Sequence, residues 1–150
     1  MGYTDCANGV LATLSTLTAY FGTTPAISLA DTSILKQGVT GSAAVLIPGG
    51  FGPLRDASAA WRTWDVIVGL FQRTSNTPPI VAASFVEMRD AVVHLIDFTP
   101  NLGATGSAAG IFNTTTASMG DPAPYSLVDG QPPSFVVQWI RVSVAQKVTA

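Results

Sequence analysis

The side chains that most often carry chemistry in proteins are scarce in this sequence. The chain has one histidine, His94, and one cysteine, Cys6. Asp90 precedes His94 by four residues, so a helix would place the carboxylate one turn from the imidazole. A Ser-His-Asp hydrolase also needs an exposed nucleophile, and the sequence has no Gly-x-Ser-x-Gly element. We therefore interpret His94 as a polar surface or half-buried residue and predict that the protein is not an enzyme, with no catalytic residues.

Metal and nucleotide sites are not indicated either. A metal centre needs three or four convergent ligands, and Cys6 and His94 lie far apart in the chain. Two glycine-rich segments invite comparison with phosphate-binding loops. The segment 105–110 (TGSAAG) lacks the Gly-x-Gly spacing, and 49–52 (GGFG) has no lysine. We predict loops at both places, and neither a cofactor nor a metal site.

The composition is poor in charge. Of the 150 residues, 47% are hydrophobic and only 11% are charged, against about 25% in typical soluble domains. Such a chain either enters a membrane or covers much of its surface with neighbouring proteins. The long uncharged runs at 6–30 and 98–120 are interrupted by glycine, asparagine and hydroxyl residues, so we expect no membrane span. A net charge of −2 argues against binding nucleic acid by phosphate neutralisation.

The length and the cysteine content give the domain organisation. A chain of 150 residues is expected to form one domain, here 1–150. The single cysteine excludes an internal disulfide framework. The first residues include Asp5 but no lysine or arginine, so no secretory signal is expected. These features fit synthesis in a reducing cytosol.

Hydrophobic periodicity predicts two helices, over 5–21 and 79–97. Both have an apolar residue at every third or fourth position. Asp5 is the expected N-cap of the first helix, and Gly22 its expected stop. The two stripes are Cys6, Val10, Leu14, Leu17 and Phe21, and Val81, Phe85, Met88, Val92 and Leu95.

Four strands are predicted, two short and two long. The short strands cover 26–29 and 43–47, and the long ones cover 58–73 and 134–148. In the first long strand, alternate residues from Trp64 to Leu70 form a core face. In the last strand, the corresponding valine and isoleucine face is interrupted by Gln138. An α+β fold follows, with an antiparallel or mixed sheet of about four strands and two helices packed on one face. The segments 48–56 and 99–133 are predicted to be long loops, mobile in a free subunit, with a short strand starting at 111–112 as the one regular signal in the second.

Four residues of the long strands are candidate interface residues: Trp61, Asp65, Trp139 and Arg141. The two tryptophans fall on the mixed strand faces, where they fill either the core or an interface. Asp65 and Arg141 lie opposite the valine faces. They either form an ion pair that sets strand register or are two separately solvated ions.

The order of these elements resembles the tail-terminator, or tail-completion, proteins of long-tailed bacteriophages. The resemblance is one of pattern and size over most of the chain. It rests on the helix around Val10, Leu14 and Leu17, the strand 61–68 (WRTWDVIV), the helix 81–90 (VAASFVEMRD) and the closing strand 139–144 (WIRVSV).

This resemblance implies a structural virion protein. Such a protein would form a homohexameric ring at the head-proximal end of the tail tube. It would stop tube polymerisation and provide the joining surface for the head. Its partners would be itself, the tail-tube protein and a head-completion or connector protein, with no membrane and no sequence-specific nucleic acid, although DNA would pass through the ring. It would be located in the virion neck, and in the host cytoplasm during assembly.

Two alternatives to the tail-terminator interpretation are open. The nearest is another neck or tail-tube component, such as a head-closure or major tail protein. The other is a small-ligand-binding α+β domain with an apolar pocket. A ring or tube is expected from the first two interpretations, and a monomer from the third.

Overall fold

The computed structural model describes residues 3–17, 27–29, 42–48, 54–57, 61–74, 83–98, 112–118, 120–126, 130 and 133–147. Within these residues the chain forms two helices and seven strands, which confirms the α+β class. The helices are α1 (Tyr3–Leu14) and α2 (Ala83–Asp97). The strands are β1 (Ile27–Leu29), β2 (Ser42–Pro48), β3 (Leu54–Ala57), β4 (Trp61–Arg73), β5 (Phe112–Ser118), β6 (Ala123–Tyr125) and β7 (Phe135–Lys147).

The two long strands form the centre of a single mixed sheet. Its main order is β1-β2-β4-β7-β5, with β3 also paired to β4 and β6 also paired to β7. β4 and β7 have 13 residues each and pair in antiparallel register from Trp61 with Lys147 to Arg73 with Phe135. At about 3.3 Å per residue this ladder is about 43 Å long. β1 pairs with β2 in parallel, and the other pairings are antiparallel.

Both helices pack on one face of the sheet, which we call the helix face. It carries Val66, Val68 and Leu70 of β4, opposite Val142, Ile140 and Gln138 of β7. The hydroxyl groups of Ser84 in α2 and Thr114 in β5 link α2 to this face, through Gln72 and the carbonyl of Ile96. α1 contacts α2, β1, β2 and β4. The predicted packing of two helices on one face is therefore correct.

The apolar stripes of the helices are largely those that the spacing predicts. Cys6, Val10 and Leu14 of α1 are fully buried. In α2 the buried residues are Phe85, Met88, Val92 and Ile96. The prediction of Leu95 as the last member is wrong, because Ile96 lies four residues after Val92 and takes that place. Phe21 and Val81 lie outside the described residues.

α1 begins earlier and ends earlier than its sequence indicates. Asp5 lies inside the helix, so it is not the N-cap. After Leu14 the backbone hydrogen bonds change from the i−4 to the i−3 pattern, from Thr16 N to Thr13 O and from Leu17 N to Leu14 O. The hydroxyl groups of Ser15 and Thr16 donate to the carbonyls of Leu11 and Thr13. Such local bonds compete with the helical ladder and end the helix.

The predicted loops contain strands, of which the sequence indicated only the start of a short one at 111–112. Residues 54–57 form β3, with a bulge between Leu54 and Asp56, and residues 112–118 and 123–125 form β5 and β6. The prediction of loops throughout 48–56 and 99–133 is wrong at these positions. β5 has the sequence FNTTTAS, and an edge strand with so few apolar residues gives no strong alternation.

The sheet face opposite the helices, which we call the far face, is also apolar in the half formed by the C-terminal part of β4 and the N-terminal part of β7. Val45, Phe71 and Phe135 are fully buried there. Phe71 makes edge-to-face contacts with Tyr125, Phe135 and Trp139, at ring-centroid distances of 5.0, 6.3 and 5.8 Å. The central strands are therefore covered on both faces along this half, as in the interior of a layered fold.

Candidate functional site

Three of the four candidate interface residues lie on the far face and are described with their side chains. The register places Asp65 opposite Ser143, Arg141 opposite Ile67, and Trp139 opposite Gly69. Asp65 and Arg141 are thus diagonal neighbours on adjacent strands. Trp61 is described by its backbone alone, at the end of the ladder where it pairs with Lys147.

Asp65 is a buried carboxylate. Only 7% of it is exposed, and its Oδ1 accepts a hydrogen bond of 2.8 Å from the hydroxyl of Ser143. Arg141 is exposed. The view that both are solvated ions is wrong for Asp65, because a buried carboxylate must be satisfied by donors within the protein. The cross-strand partner that the structure gives Asp65 is Ser143.

Trp139 packs within its own sheet. Its ring lies over Gly69, so close that a Cβ atom at Gly69 would be 2.5 Å from Cζ3 of Trp139. The ring also contacts Phe71. A glycine opposite an aromatic residue provides room for the ring to lie flat across the neighbouring strand. Trp139 is nevertheless only half-buried, so part of its ring remains available to a neighbour.

Trp64 lies on the helix face and packs against the core, as its position among the valines indicates. Its indole Nε1 is buried and has no hydrogen-bond partner among the described residues. Its ring is half-buried.

A second surface is a groove beside the C-terminal half of α2. It has a volume of about 570 Å³, within the range of about 300–1,000 Å³ that is usual for ligand sites. One wall is α2, and the other includes Ser118, Gly120 and Asp121. The lining residues are Arg89, Asp90, Val93, His94, Asp97, Phe98, Ser118, Gly120, Asp121 and Gln138.

Gln138 connects the two walls of this groove. It is 4% exposed and accepts a hydrogen bond of 3.3 Å from Nη1 of Arg89. Its amide Nε2 donates to the carbonyl of Gly120 at 2.9 Å. Gly120 has a φ of +113°, a conformation that glycine adopts without steric cost. The sequence signal for this site was the polar Gln138 within a valine face, because a buried amide needs partners from other elements.

The other polar contacts hold α2 against β5. Thr114 donates to the carbonyl of Ile96 at 3.3 Å, and Thr116 donates to Oδ1 of Asp97 at 2.9 Å.

Arg89 forms an ion pair with Asp90 at 3.1 Å. The ion-pair partner of Asp90 is therefore Arg89, whereas the sequence spacing predicted a contact with His94. His94 instead stacks on Phe98, with ring centroids 4.4 Å apart.

Neither surface gathers the groups of a metal centre. No cluster of three or more histidine, cysteine or acidic side chains suited to a metal ion occurs in the described part of the chain. Cys6 is buried in the α1 stripe. Neither described helix has the length and apolarity that a membrane crossing requires.

No protein-family model matches the sequence, and no curated protein matches it significantly.

Proposed function

We propose that this protein is a structural subunit that assembles into a homo-oligomeric ring, and within that class a tail terminator of a long-tailed bacteriophage. The observation that carries the proposal is the edge strand β5. It pairs with β7 along one side, and no other described strand lies along its outer side.

The sequence of β5 lacks the features that normally protect a strand edge. Its seven residues, FNTTTAS, include no charge and no proline, and its pairing with β7 is regular from Phe112 to Ser118. Proteins that must avoid edge pairing place lysine, proline or a bulge in such a strand. The backbone donors and acceptors of β5 therefore suit the addition of a strand from another chain.

Strand addition of this kind supports a ring. When the edge of one subunit binds a different surface of the next, the contact is heterologous, and its repetition closes into a ring if the rotation allows. The low charge of the chain, 11%, favours burial of wide surfaces because few ions must be desolvated. A ring subunit also needs no catalytic cluster.

The assignment to the tail terminators rests on the resemblance of element order. A ring with one tube-binding side and a different opposite side stops a growing stack, because the next ring finds no matching surface. The proposed partners are the tail-tube protein on one side and a head-completion protein on the other, and the proposed ring is a hexamer. Another neck or tail-tube component would use the same edge but would not end the stack.

The edge is tested by one substitution and a matched control. Thr115 is exposed on β5, and Thr115→Lys places a charge on the outer strand. Ala12→Lys introduces the same charge at an exposed position of α1. Size-exclusion chromatography with light scattering and negative-stain electron microscopy should show rings for the wild type and for Ala12→Lys, and monomers for Thr115→Lys. Rings that persist in Thr115→Lys would refute the β5 contact.

The tail-terminator role is tested in the phage that encodes the protein. Deletion of the gene should give filled heads, unattached tails and tubes of abnormal length, and complementation with Thr115→Lys should not restore joining. Tails of normal length on joined heads in the deletion strain would exclude this role. Abnormal heads with normal tail tubes would instead indicate another neck component.

A further inference from the structure

The exposed face of α2 beside the groove carries an apolar patch without a partner in the described structure. Phe98 is 76% exposed and is the one large hydrophobic residue exposed among the described residues. His94 stacks on it with the rings tilted by 31°, and Val93 lies one turn before Asp97 on the same wall. The two rings give the rim of the groove an apolar contact surface.

The charges around this patch are mainly negative. Asp90 and Asp97 come from the helix, and Asp121 comes from the opposite wall. The cation of the groove, Arg89, is held by Asp90 and Gln138. Among the lining residues the three carboxylates outnumber the one arginine. Asp97 and Asp121 have no cation paired with them among the described residues, and they face the groove from its two sides.

From this combination we propose that the groove binds a basic segment of another polypeptide, with a lysine or arginine next to an apolar residue. The apolar side chain packs on Phe98 and Val93, and the cation lies between Asp97 and Asp121, where the Phe98 ring adds a cation–π contribution. The same negative charge would repel nucleic acid. The inference goes beyond the ring proposal and does not depend on it.

The dimensions of the groove set the length of the segment. Its lining residues run from Arg89 in α2 to Phe98, directly after the helix, which corresponds to about 14 Å at about 1.5 Å per residue. An extended chain advances about 3.3 Å per residue, so about four residues span the groove. A segment of this length has room for one apolar anchor and one or two cations.

The test uses the full chain and a labelled peptide. A fluorescein-labelled hexapeptide of alternating lysine and leucine is titrated with the protein by fluorescence anisotropy, beside a matched peptide with glutamate in place of lysine. The variants are Asp97→Asn with Asp121→Asn, and Phe98→Ser. The control is Glu87→Gln, which removes the same charge from an exposed position of α2 outside the groove. All the substituted residues are exposed, and circular dichroism verifies that each variant is folded.

The expected result is binding of the lysine peptide that weakens with added salt. The double asparagine variant should raise Kd about fivefold to tenfold, on the basis of exposed charge pairs, and Phe98→Ser should raise it about threefold or more. Glu87→Gln should leave Kd unchanged. Equal binding of the glutamate peptide, equal weakening by Glu87→Gln, or no binding at about 1 mM would overturn the proposal. Loss of self-association in the groove variants, without peptide binding, would also overturn it by assigning the groove to a second copy.

Discussion

At the scale of single residues, the ring of Trp139 packs closely over Gly69. A Cβ atom at Gly69 would lie 2.5 Å from Trp139 and 2.9 Å from Cε2 of Phe71. Alanine gains roughly 0.5–1 kcal/mol over glycine in a strand interior, but overpacking of a core costs about 1–3 kcal/mol. Since both rings are held by the edge-to-face contacts of the aromatic cluster, the steric term dominates.

Gly69→Ala should therefore lower the free energy of unfolding by about 1–2 kcal/mol, measured by urea denaturation. Trp139→Leu gives the reference background, because it removes the ring that the new methyl group meets. In that background the cost of Gly69→Ala should be much smaller. An equal cost in both backgrounds would show that Trp139 does not cause the strain.

The pair Asp65 and Ser143 gives the second residue-scale prediction. Ser143→Ala removes a donor to a buried carboxylate, and hydrogen bonds to charged groups contribute about 1.5–3 kcal/mol. We expect the free energy of unfolding at neutral pH to fall by about 1–3 kcal/mol. Arg141→Gln is the control on the same strand, and its effect should be within about 0.5 kcal/mol because Arg141 is exposed. A larger loss in Arg141→Gln than in Ser143→Ala would restore Arg141 as the partner of Asp65.

The residues that sequence analysis identified and those it missed differ in how their roles arise. The valine faces of β4 and β7 and the stripe of α1 follow from local spacing, so they were predictable. The role of Gly69 depends on Trp139, which is distant in the chain and meets it only in the folded register. The groove is also built from separate elements. In the sequence, Gln138 was the one sign of the groove, as a polar residue at a position of β7 where an apolar residue was expected.

At the scale of elements, the ring proposal predicts that β5 is the strand whose environment changes most when a free subunit assembles. In an antiparallel edge strand, some amides point to the paired neighbour and others point outward. The amides that face β7 should exchange slowly in a monomer. The outward amides should exchange rapidly in the monomer and slowly in the ring.

Hydrogen exchange at single-residue resolution checks this prediction. Thr115→Lys provides the monomer, and assembled wild-type protein provides the ring. β2, which pairs with strands on both sides, is the internal reference and should be protected in both. Uniformly slow exchange along β5 in the monomer would show that its outer side is already paired within the subunit.

Apolar spacing predicted some of the strands and helix ends but not others. β4 and β7 were predictable because buried strands need apolar residues on at least one face. β5 and β6 are short edge strands that gain their stability from backbone pairing with β7. The mostly polar sequence of β5 and the three residues of β6, Ala-Pro-Tyr, resemble loops. The early end of α1 depends on the hydroxyl groups of Ser15 and Thr16, which stabilise a turn at the point where apolar spacing continues to Leu17.

At the scale of the whole molecule, the two proposed interaction surfaces, the outer side of β5 and the groove, lie near one edge of the sheet. The groove is bounded by Ser118, the last residue of β5, and by α2, which is tied to β5 through Thr114 and Thr116. A strand added to β5 would thus end close to the groove. Occupation of both surfaces at once would join a neighbouring copy and a basic partner segment at the same edge.

The pairing of β4 with β7 also has a consequence for the rate of folding. The strands are adjacent in the sheet but more than sixty residues apart in the chain, from Arg73 with Phe135 to Trp61 with Lys147. The chain must close this long loop, at a cost in conformational entropy, before β4 and β7 can form the contacts that compensate for that cost. Domains dominated by such distant pairings fold on the order of milliseconds to seconds. Until β7 pairs with β4, the backbone groups along one edge of β4 have no partner and its apolar side chains are exposed. Newly made chains are therefore most prone to aggregate before this last described strand has formed.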